Sequence, residues 1–356
     1  MSTITAVNAP ETDALRAGVD AFLAGFAARH LEGTTAPRSI APLHADLREY
    51  LQRPGKRIRP LVFLLACRAF DPGRNLAWGE YSVACALELF HDFVLIHDDI
   101  IDRTDCRRGL PSLHRAFEAR IGVHSDRPRV ARHLAMVMGD VLFALSQKCL
   151  LESGLPERAE LLDQVLSYVV DTGLGEALDV VIGTRDLSKV DLPEIEEMYH
   201  LKTTRYTIEC PLVLAGMLAG LGTPQLDAIA AAAGPAGLAF QIENDLREWE
   251  QFERSDSEIP SDLAEGKKTA LLRTAFSRLG ETDRTLLQLS LSVSPPTDTT
   301  LTMLKDLVGS SGAVAALRGR MSALIEESLT LAASPVLPAH VREGLAQILR
   351  EVGSII

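Results

Sequence analysis

Apolar residues recur along the chain at three- and four-residue spacing, the period of a helix with one dry face. The densest run, ALELFHDFVLIHDDIID, places Leu87, Leu89, Phe90, Phe93, Val94, Leu95 and Ile96 around almost every side of a helix from about Ala77 to Asp102. That helix is therefore predicted to be buried. Ahead of it, an amphipathic helix is expected over roughly Thr12–Leu31, stopped by Glu32-Gly33-Thr34-Thr35. The period resumes at Leu43, breaks at Arg53-Pro54-Gly55, returns over Arg59–Phe70 and stops at Asp71-Pro72-Gly73. Beyond the central helix, Gly109-Leu110-Pro111 turns the chain and Glu118–Arg129 reads as a charged loop. Further helices are expected over about Arg129–Ser153, Arg158–Thr184, Leu192–Tyr206, Pro211–Leu221 and Pro224–Glu253. After the polar run Arg254–Ser261, three or four shorter helices fill the rest, broken at Ser294-Pro295-Pro296, Gly309-Ser310-Ser311-Gly312 and Ser334-Pro335. No strand-period alternation, fixed repeat or flexible linker interrupts the pattern. The expectation is an all-α fold, one antiparallel helical bundle over residues 1–356 around a deep central pocket, with residues 1–36 as an N-terminal add-on.

Composition narrows the class. Of 356 residues, 47% are hydrophobic but only 5% aromatic, which favours helices packed on helices over a β-rich fold. The net charge of -12 argues against a general nucleic-acid binder, so local basic clusters must be read as specific sites. The cysteines Cys67, Cys85, Cys106, Cys149 and Cys210 are odd in number and scattered, with no metal-type spacing. The first residues lack a basic start and an apolar core, so a secretory leader is not expected and a reducing cytoplasm is. The most apolar windows, Pro211–Leu221 and Ala228–Ile242, are too short to span a bilayer.

The candidate chemistry lies at the end of the central helix. Asp98 and Asp102 stand about 40° apart on one face, with Asp99 beside them. Such carboxylates repel unless a cation holds them, and oxygen ligands suit magnesium, which fills its shell with water and phosphate oxygens. Arg107 and Arg108 fit a phosphorylated ligand, because the guanidinium fork matches phosphate and keeps its charge when desolvated. An acidic helix end is usually solvated surface. Here the helix body is too apolar for that. FQIENDLREWE repeats the arrangement, with Asn244 and Glu248 four apart around Asp245 and with Glu243 alongside. Taken alone, that second patch is ordinary. If the two helices lie side by side, the acidic patches face each other across the pocket mouth, which suits several magnesium ions around one diphosphate. Gly55-Lys56-Arg57-Ile58-Arg59-Pro60 is a basic knot opening a helix, where free N–H groups also favour an anion. His91 lies nearly on the face of Asp98; a core histidine with a backbone partner is the commoner fate, a diphosphate contact the sharper one. Lys202-Thr203 and Gly266-Lys267-Lys268-Thr269 add cations at the ends of later helices.

In order and spacing, GKRIRP, HDDIID with RRG, KT, FQIENDLREWE and DLAEGKKT resemble the trans-type isoprenyl diphosphate synthases over roughly Leu43–Leu279. The resemblance implies magnesium-assisted ionisation of an allylic diphosphate and head-to-tail attack by isopentenyl diphosphate, in a homodimer. It also implies that Asp98 and Asp102 bind magnesium with Asp99 in support, and that Asn244, Asp245 and Glu248 form a second metal patch. Lys56, Arg59, His91 and Arg108 would hold isopentenyl diphosphate. Arg107, Lys202 and Lys267 would hold the allylic diphosphate, with Thr203 and Gln241 turning oxygens toward the cation.

Two departures from the family stand out. Its second motif normally carries aspartates where Asn244 and Glu248 stand, so a third magnesium should bind more weakly, with Glu243 offering a compensating charge. Its usual lysine four or five residues before the aspartate matched by Asp262 is replaced by Ser257 and Glu258. In the family, bulk below the first aspartates sets product length. Val94 lies one turn below Asp98 and Phe90 two turns below, with Phe93 on the flank, and a turn of about 5 Å is close to one isoprene unit. A small Val94 followed by the phenylalanines points to a twenty-carbon product, with fifteen carbons next. A class I terpene cyclase shares an Asn-Asp opening but expects serine and glutamate where Glu248 and Phe252 stand, and has no use for Lys56, Arg59 and Arg108. A non-catalytic subunit of a heterodimer would have lost the first acidic motif, which is intact. Irregular coupling of two allylic units stays open.

Overall fold

The computed structural model describes residues 9–32, 40–122, 124–254, 261–293 and 297–355. Its contacts divide into two compact units, residues 1–163 and 164–356. In the first, α1 (Ala9–Ala27) buries Leu15, Val19, Leu23 and Phe26, the i, i+3/i+4 stripe of an amphipathic helix. A short π-helical turn, Ala28–Glu32, ends it. Next come α2 (Ala41–Leu51), α3 (Ile58–Phe70) and the central α4 (Trp78–Ile101). Glu80 starts α4 by accepting the Ala77 N–H at 3.0 Å, satisfying a donor that the first turn leaves open. The strands β1 (Cys106–Arg107) and β2 (Leu110–Pro111) form a small antiparallel hairpin, and α5 (Leu113–Arg120) and α6 (Arg127–Leu151) complete the unit.

The helix α4 packs chiefly against α6, and α1 lies against α3 and α4. A Cβ on Gly139 of α6 would sit 2.5 Å from His97 Nε2, so glycine permits the close α4–α6 approach. By length and composition α6 alone among the described helices could cross a membrane. Its inner face is instead packed on α4 and α5.

The second unit begins within α7 (Arg158–Gly183). It continues through α8 (Leu192–Tyr199), a π-helical stretch His200–Glu209, α9 (Cys210–Leu218) and the long α10 (Thr223–Arg254). The remaining helices are α11 (Ser261–Ala264), α12 (Ala270–Arg278), α13 (Glu281–Leu291), α14 (Asp298–Ser311), α15 (Ala313–Ala332) and α16 (Ala339–Ile355). Ile242, Leu246 and Trp249 of α10 pack with Ile195, Met198 and Tyr199 of α8 and with Leu271 and Leu272 of α12. Asp191 and Thr269 cap α8 and α12 by accepting the N–H of Glu194 and Leu272.

The helices fall largely where the apolar period places them, with four differences. After residue 260, among the described residues, six helices, α11–α16, stand where three or four were expected. The hairpin at residues 106–111 carries no alternation because each strand is two residues long. The loop expected over Glu118–Arg129 is shorter, since α5 runs to Arg120 and α6 starts at Arg127. Lys202 and Thr203 lie inside the π-helical stretch, between two α-helices, not at a helix end.

Candidate active site

In the first unit the carboxylates sit where α4 ends. The Asp102 N–H donates to the Asp98 carbonyl at 2.8 Å, so the two residues stand one turn apart, and both side chains are half-buried. Asp99 is 1% exposed. Its Oδ1 accepts Arg107 Nε at 2.9 Å and also Arg107 Nη2. The same guanidinium lies 3.6 Å from Asp98 Oδ2. Burial pushes the Asp99 carboxyl up to about 6, Arg107 opposes the rise, and Asp98 and Asp102 add to it. Asp99 therefore anchors Arg107, while Asp98 and Asp102 are the carboxylates placed to meet a cation.

The hairpin aims the neighbouring arginine. Arg107 pairs with Leu110, which leaves Arg108-Gly109 as a two-residue turn with φ of 55° and 74°. Positive φ at both positions is what a tight hairpin requires. Arg108 Nη2 lies 3.8 Å from Asp92 Oδ1 and 4.0 Å from Glu88 Oε1, two buried carboxylates one turn apart on α4. A Cβ on Gly55 would come within 3.1 Å of the Arg108 Cζ, so the guanidinium rests directly on the turn that carries Lys56. Burial, then Glu88, raises the Asp92 carboxyl, and burial drives His91 well below the usual imidazole range with Arg59, Arg108, Arg107 and Arg57 adding to the effect. His91 is thus a neutral imidazole among cations.

Arg59 is buried in the first turn of α3, and Lys56 is exposed just before it. Tyr50 is buried nearby, its hydroxyl pKa raised by burial and then by Asp92 and Asp99. Arg53 stacks over its ring at 4.9 Å and donates to the Pro111 carbonyl at 2.8 Å, tying α2 to the hairpin. Of the residues expected to set product length, Phe90 is buried and its ring centre lies 5.8 Å from that of Phe93. Phe93 packs on Phe143 of α6 at 5.1 Å and on His97 at 4.7 Å. Val94 is half-buried.

In the second unit Asp245 is buried on α10, and both its oxygens are engaged. The Tyr199 hydroxyl donates to Oδ2, and Gln241 Nε2 donates to Oδ1 at 2.9 Å. Burial, then Asp262, pushes its carboxyl well above the usual range. Gln241, expected to turn its oxygen toward a cation, here directs its amide N–H to Asp245. Asp245, Glu248 and Asp262 line a small pocket with Trp249, Leu271 and Leu272. Asn244, next to Asp245 in sequence, is half-buried. Glu243 lies 3.8 Å from Arg247 one turn on along the same helix.

Lys202 Nζ is 2.6 Å from Asp179 Oδ2 and 2.8 Å from Glu176 Oε2, both on α7. The glycine next to Glu176 makes this possible: a Cβ on Gly175 would sit 2.3 Å from the Lys202 backbone nitrogen. Thr203 follows, half-buried. Lys267 pairs with Glu265 at 3.3 Å and Asp262 at 3.7 Å. Burial pushes Asp262 up to about 6, with Lys267 opposing and Glu248 adding. Ser257 and Glu258 lie outside the described residues. The sequence reading missed Glu88, Asp92, Glu176, Asp179, Tyr50 and Tyr199. The acids carried one available signal, carboxylates breaking into an otherwise apolar helical period, where burial demands a partner.

Among the described residues no three His, Cys, Asp or Glu side chains close into a metal cage. Carboxylate pairs one turn apart fit a hard cation that completes its shell with water and phosphate. The sequence pattern of the family described as Polyprenyl synthetase matches residues 41–305. The chain belongs to the polyprenyl synthetase family. Within this family it is 34% identical over 238 residues to a short chain isoprenyl diphosphate synthase of Methanothermobacter thermautotrophicus, covering 65% of the chain and 66% of that relative. It is 30% identical over 246 residues to a geranylfarnesyl diphosphate synthase of Natronomonas pharaonis, covering 64% and 67%. The chain thus spans about two thirds of the length of these relatives. A geranylgeranyl pyrophosphate synthase of Corynebacterium glutamicum, solved with isoprenyl diphosphate and magnesium, superposes with a TM-score of 0.86 at 25% identity over 97% of this chain and 99% of that one. The polyprenyl synthetase resemblance read from HDDIID, RRG and FQIENDLREWE is borne out, and with it the all-α fold.

Proposed function

We propose that this trans-prenyltransferase joins isopentenyl diphosphate head to tail to an allylic diphosphate and releases a short-chain all-trans prenyl diphosphate. The twenty-carbon geranylgeranyl diphosphate is the first product expected and farnesyl diphosphate the next. The basic cluster carries this reading: Arg59 and Arg108 act on a neutral His91, which lies on the same helix as the intact Asp98. An enzyme that merely ionises one diphosphate needs no such cluster. Relatives named geranylgeranyl and geranylfarnesyl diphosphate synthase support a chain of that length or longer.

Magnesium, up to three ions with the third weaker for want of a charge at Asn244, would draw electron density from the departing diphosphate. Asp98 and Asp102 would hold it in the first unit, and Asp245 and Glu248 with Asn244 in the second. Arg107, Lys202 and Lys267 would hold the allylic diphosphate, each already fixed by a carboxylate so that little side-chain order is lost on binding. Lys56, Arg59, Arg108 and His91 would hold isopentenyl diphosphate, with His91 hydrogen-bonding as an uncharged imidazole. Thr203 and Gln241 would orient oxygens near the forming cation.

A homodimer is part of the proposal, supported by the exposed apolar Val170, Leu174 and Val181 along α7. Cytoplasmic residence is proposed on five free thiols. The test is incubation with magnesium, isopentenyl diphosphate and dimethylallyl, geranyl or farnesyl diphosphate, with products sized by mass spectrometry. Longer diphosphates are expected. Hydrocarbon from one allylic substrate would support a cyclase, and inertness until a second protein is added a subunit role.

A further inference from the structure

The N-terminal helix α1 precedes the segment matched by the family pattern, which begins at residue 41. Yet it supplies a side chain to the basic knot. Arg57 is 1% exposed and takes a left-handed conformation, φ 50°, at the start of α3. Its guanidinium is held from four sides: Nε donates to Asp20 Oδ1 of α1 at 2.8 Å, Nη1 to Glu88 at 2.7 Å, and Nη2 to the carbonyls of Arg53 at 2.9 Å and Leu51 at 3.3 Å. Those last two acceptors belong to the end of α2 and the turn after it. Arg57 therefore fixes the turn at 53–57 in one shape. Lys56 and Arg59 flank it in sequence, and Gly55 within the turn is the surface on which Arg108 rests.

The seat of α1 is well defined. A Cβ on Gly18 would lie 2.7 Å from the Tyr81 ring, so glycine lets α1 close on α4. Phe22 packs on Trp78 at 4.7 Å, and Glu11 pairs with Arg68 of α3. Asp20 is thus delivered to Arg57 by a docked helix, not by a floating one. Left without Asp20, the buried Arg57 Nε would lose its acceptor, and a residue strained by positive φ would lose one of the contacts that hold it there.

We infer that Asp20 of α1 is a positioning residue for the diphosphate-binding turn, acting through Arg57 on Lys56, Arg59 and Arg108, so that α1 belongs to the substrate-binding apparatus. The inference rests on the reading above that this turn holds isopentenyl diphosphate. Its signature is selective weakening of one substrate. Asp20→Ala is expected to raise KM for isopentenyl diphosphate roughly tenfold, the scale of one charge-assisted hydrogen bond. Its kcat and its KM for the allylic substrate should stay within about twofold of wild type, since neither depends on a tie that lies outside the reacting groups. Asp20→Asn, which keeps an acceptor, should fall between, and Asp20→Glu should restore most of the affinity.

Calorimetric titration of isopentenyl diphosphate into the full-length protein gives the same comparison without turnover. Asp13→Asn, on the same helix but paired only with Arg16, is the control and should change nothing. A wild type that elongates no allylic diphosphate would sink the functional reading itself. An active wild type whose Asp20→Ala variant keeps the normal KM, or loses kcat and both KM values together, would overturn this inference alone.

Discussion

Among the described residues only Arg57, Arg103 and Arg108 combine a side chain with a left-handed backbone. That conformation costs on the order of 1 kcal/mol each, so something must hold it. Arg57 and Arg108 converge on one buried carboxylate, Glu88. The strain aims two guanidinium groups that an ordinary helix would have pointed elsewhere. Gly55 tests this at a single atom. Its φ is not in the left-handed region, so Gly55→Ala should stabilise the fold by about 0.4–1 kcal/mol through the unfolded state. The new methyl must also displace the Arg108 guanidinium by a few tenths of an ångström from between Glu88 and Asp92. The expected outcome is an unchanged or higher Tm together with a KM for isopentenyl diphosphate raised roughly three- to tenfold. A lower Tm with normal KM would show that Arg108 is not the ligand-facing group. At this scale the sequence was informative about charge and silent about direction. Asp98, Asp102 and Arg108 could be picked out because charge at the end of an apolar helix is conspicuous. That Asp99 anchors Arg107 depends on a hairpin with no periodic signature.

Helices were legible because a period of three to four residues is local and repeats many times in each element. What the elements do to one another was not. The stretch His200–Glu209 becomes π-helical where it threads between two glycines: a Cβ on Gly175 would strike the Lys202 backbone, and one on Gly237 would lie 2.3 Å from Thr204 Cγ2. Nothing in the period of residues 200–209 announces that, since both glycines lie on other helices. The same stretch ends in a buried acid. Glu209 accepts from Arg205 at 3.1 Å, and burial still pushes its carboxyl up to about 7 from an ordinary 4.5. Between those two values the native chain holds a proton that the unfolded chain has released, so the contribution of Glu209 to stability is full below about pH 4.5 and is lost as pH rises to about 7. Glu209→Gln, whose amide oxygen can still accept from Arg205, should therefore gain on wild type across that window, reaching roughly 1–3 kcal/mol above pH 7. Unfolding midpoints of the two proteins from pH 4.5 to 8 give the answer, and a gap that does not change with pH would mean that Glu209 is ionised throughout. On α4, one turn separates Val94 from Asp98. Val94→Phe should shorten the product by about one isoprene unit, the rise of one turn, and an unshifted product would remove Val94 from the channel wall.

Across the whole chain the net charge is -12, and each unit gathers carboxylates that burial has pushed upward: Asp92 and Asp99 in the first, Asp245 and Asp262 in the second. Without a cation, each unit stands partly protonated and partly repelled. Of these carboxylates, Asp245 is the one proposed to hold magnesium, so binding there should release its proton and grow stronger as pH rises. Magnesium should also raise Tm by an amount that grows with the logarithm of its concentration over Kd, the more so with a diphosphate present to complete its shell. Chelation should abolish turnover and return Tm to the metal-free value. An aspartate in place of Asn244 adds a charge next to Asp245 in sequence and one turn from Glu248, without adding a cation. The metal-free Asn244→Asp protein should therefore melt lower than wild type. Its magnesium half-saturation should fall by roughly three- to tenfold, an effect of about 1 kcal/mol for one more charge on a partly exposed site. The two shifts come from the same repulsion and must appear together. A variant that melts lower yet needs as much magnesium as wild type would place residue 244 outside the metal's reach, whatever the motif around it suggests.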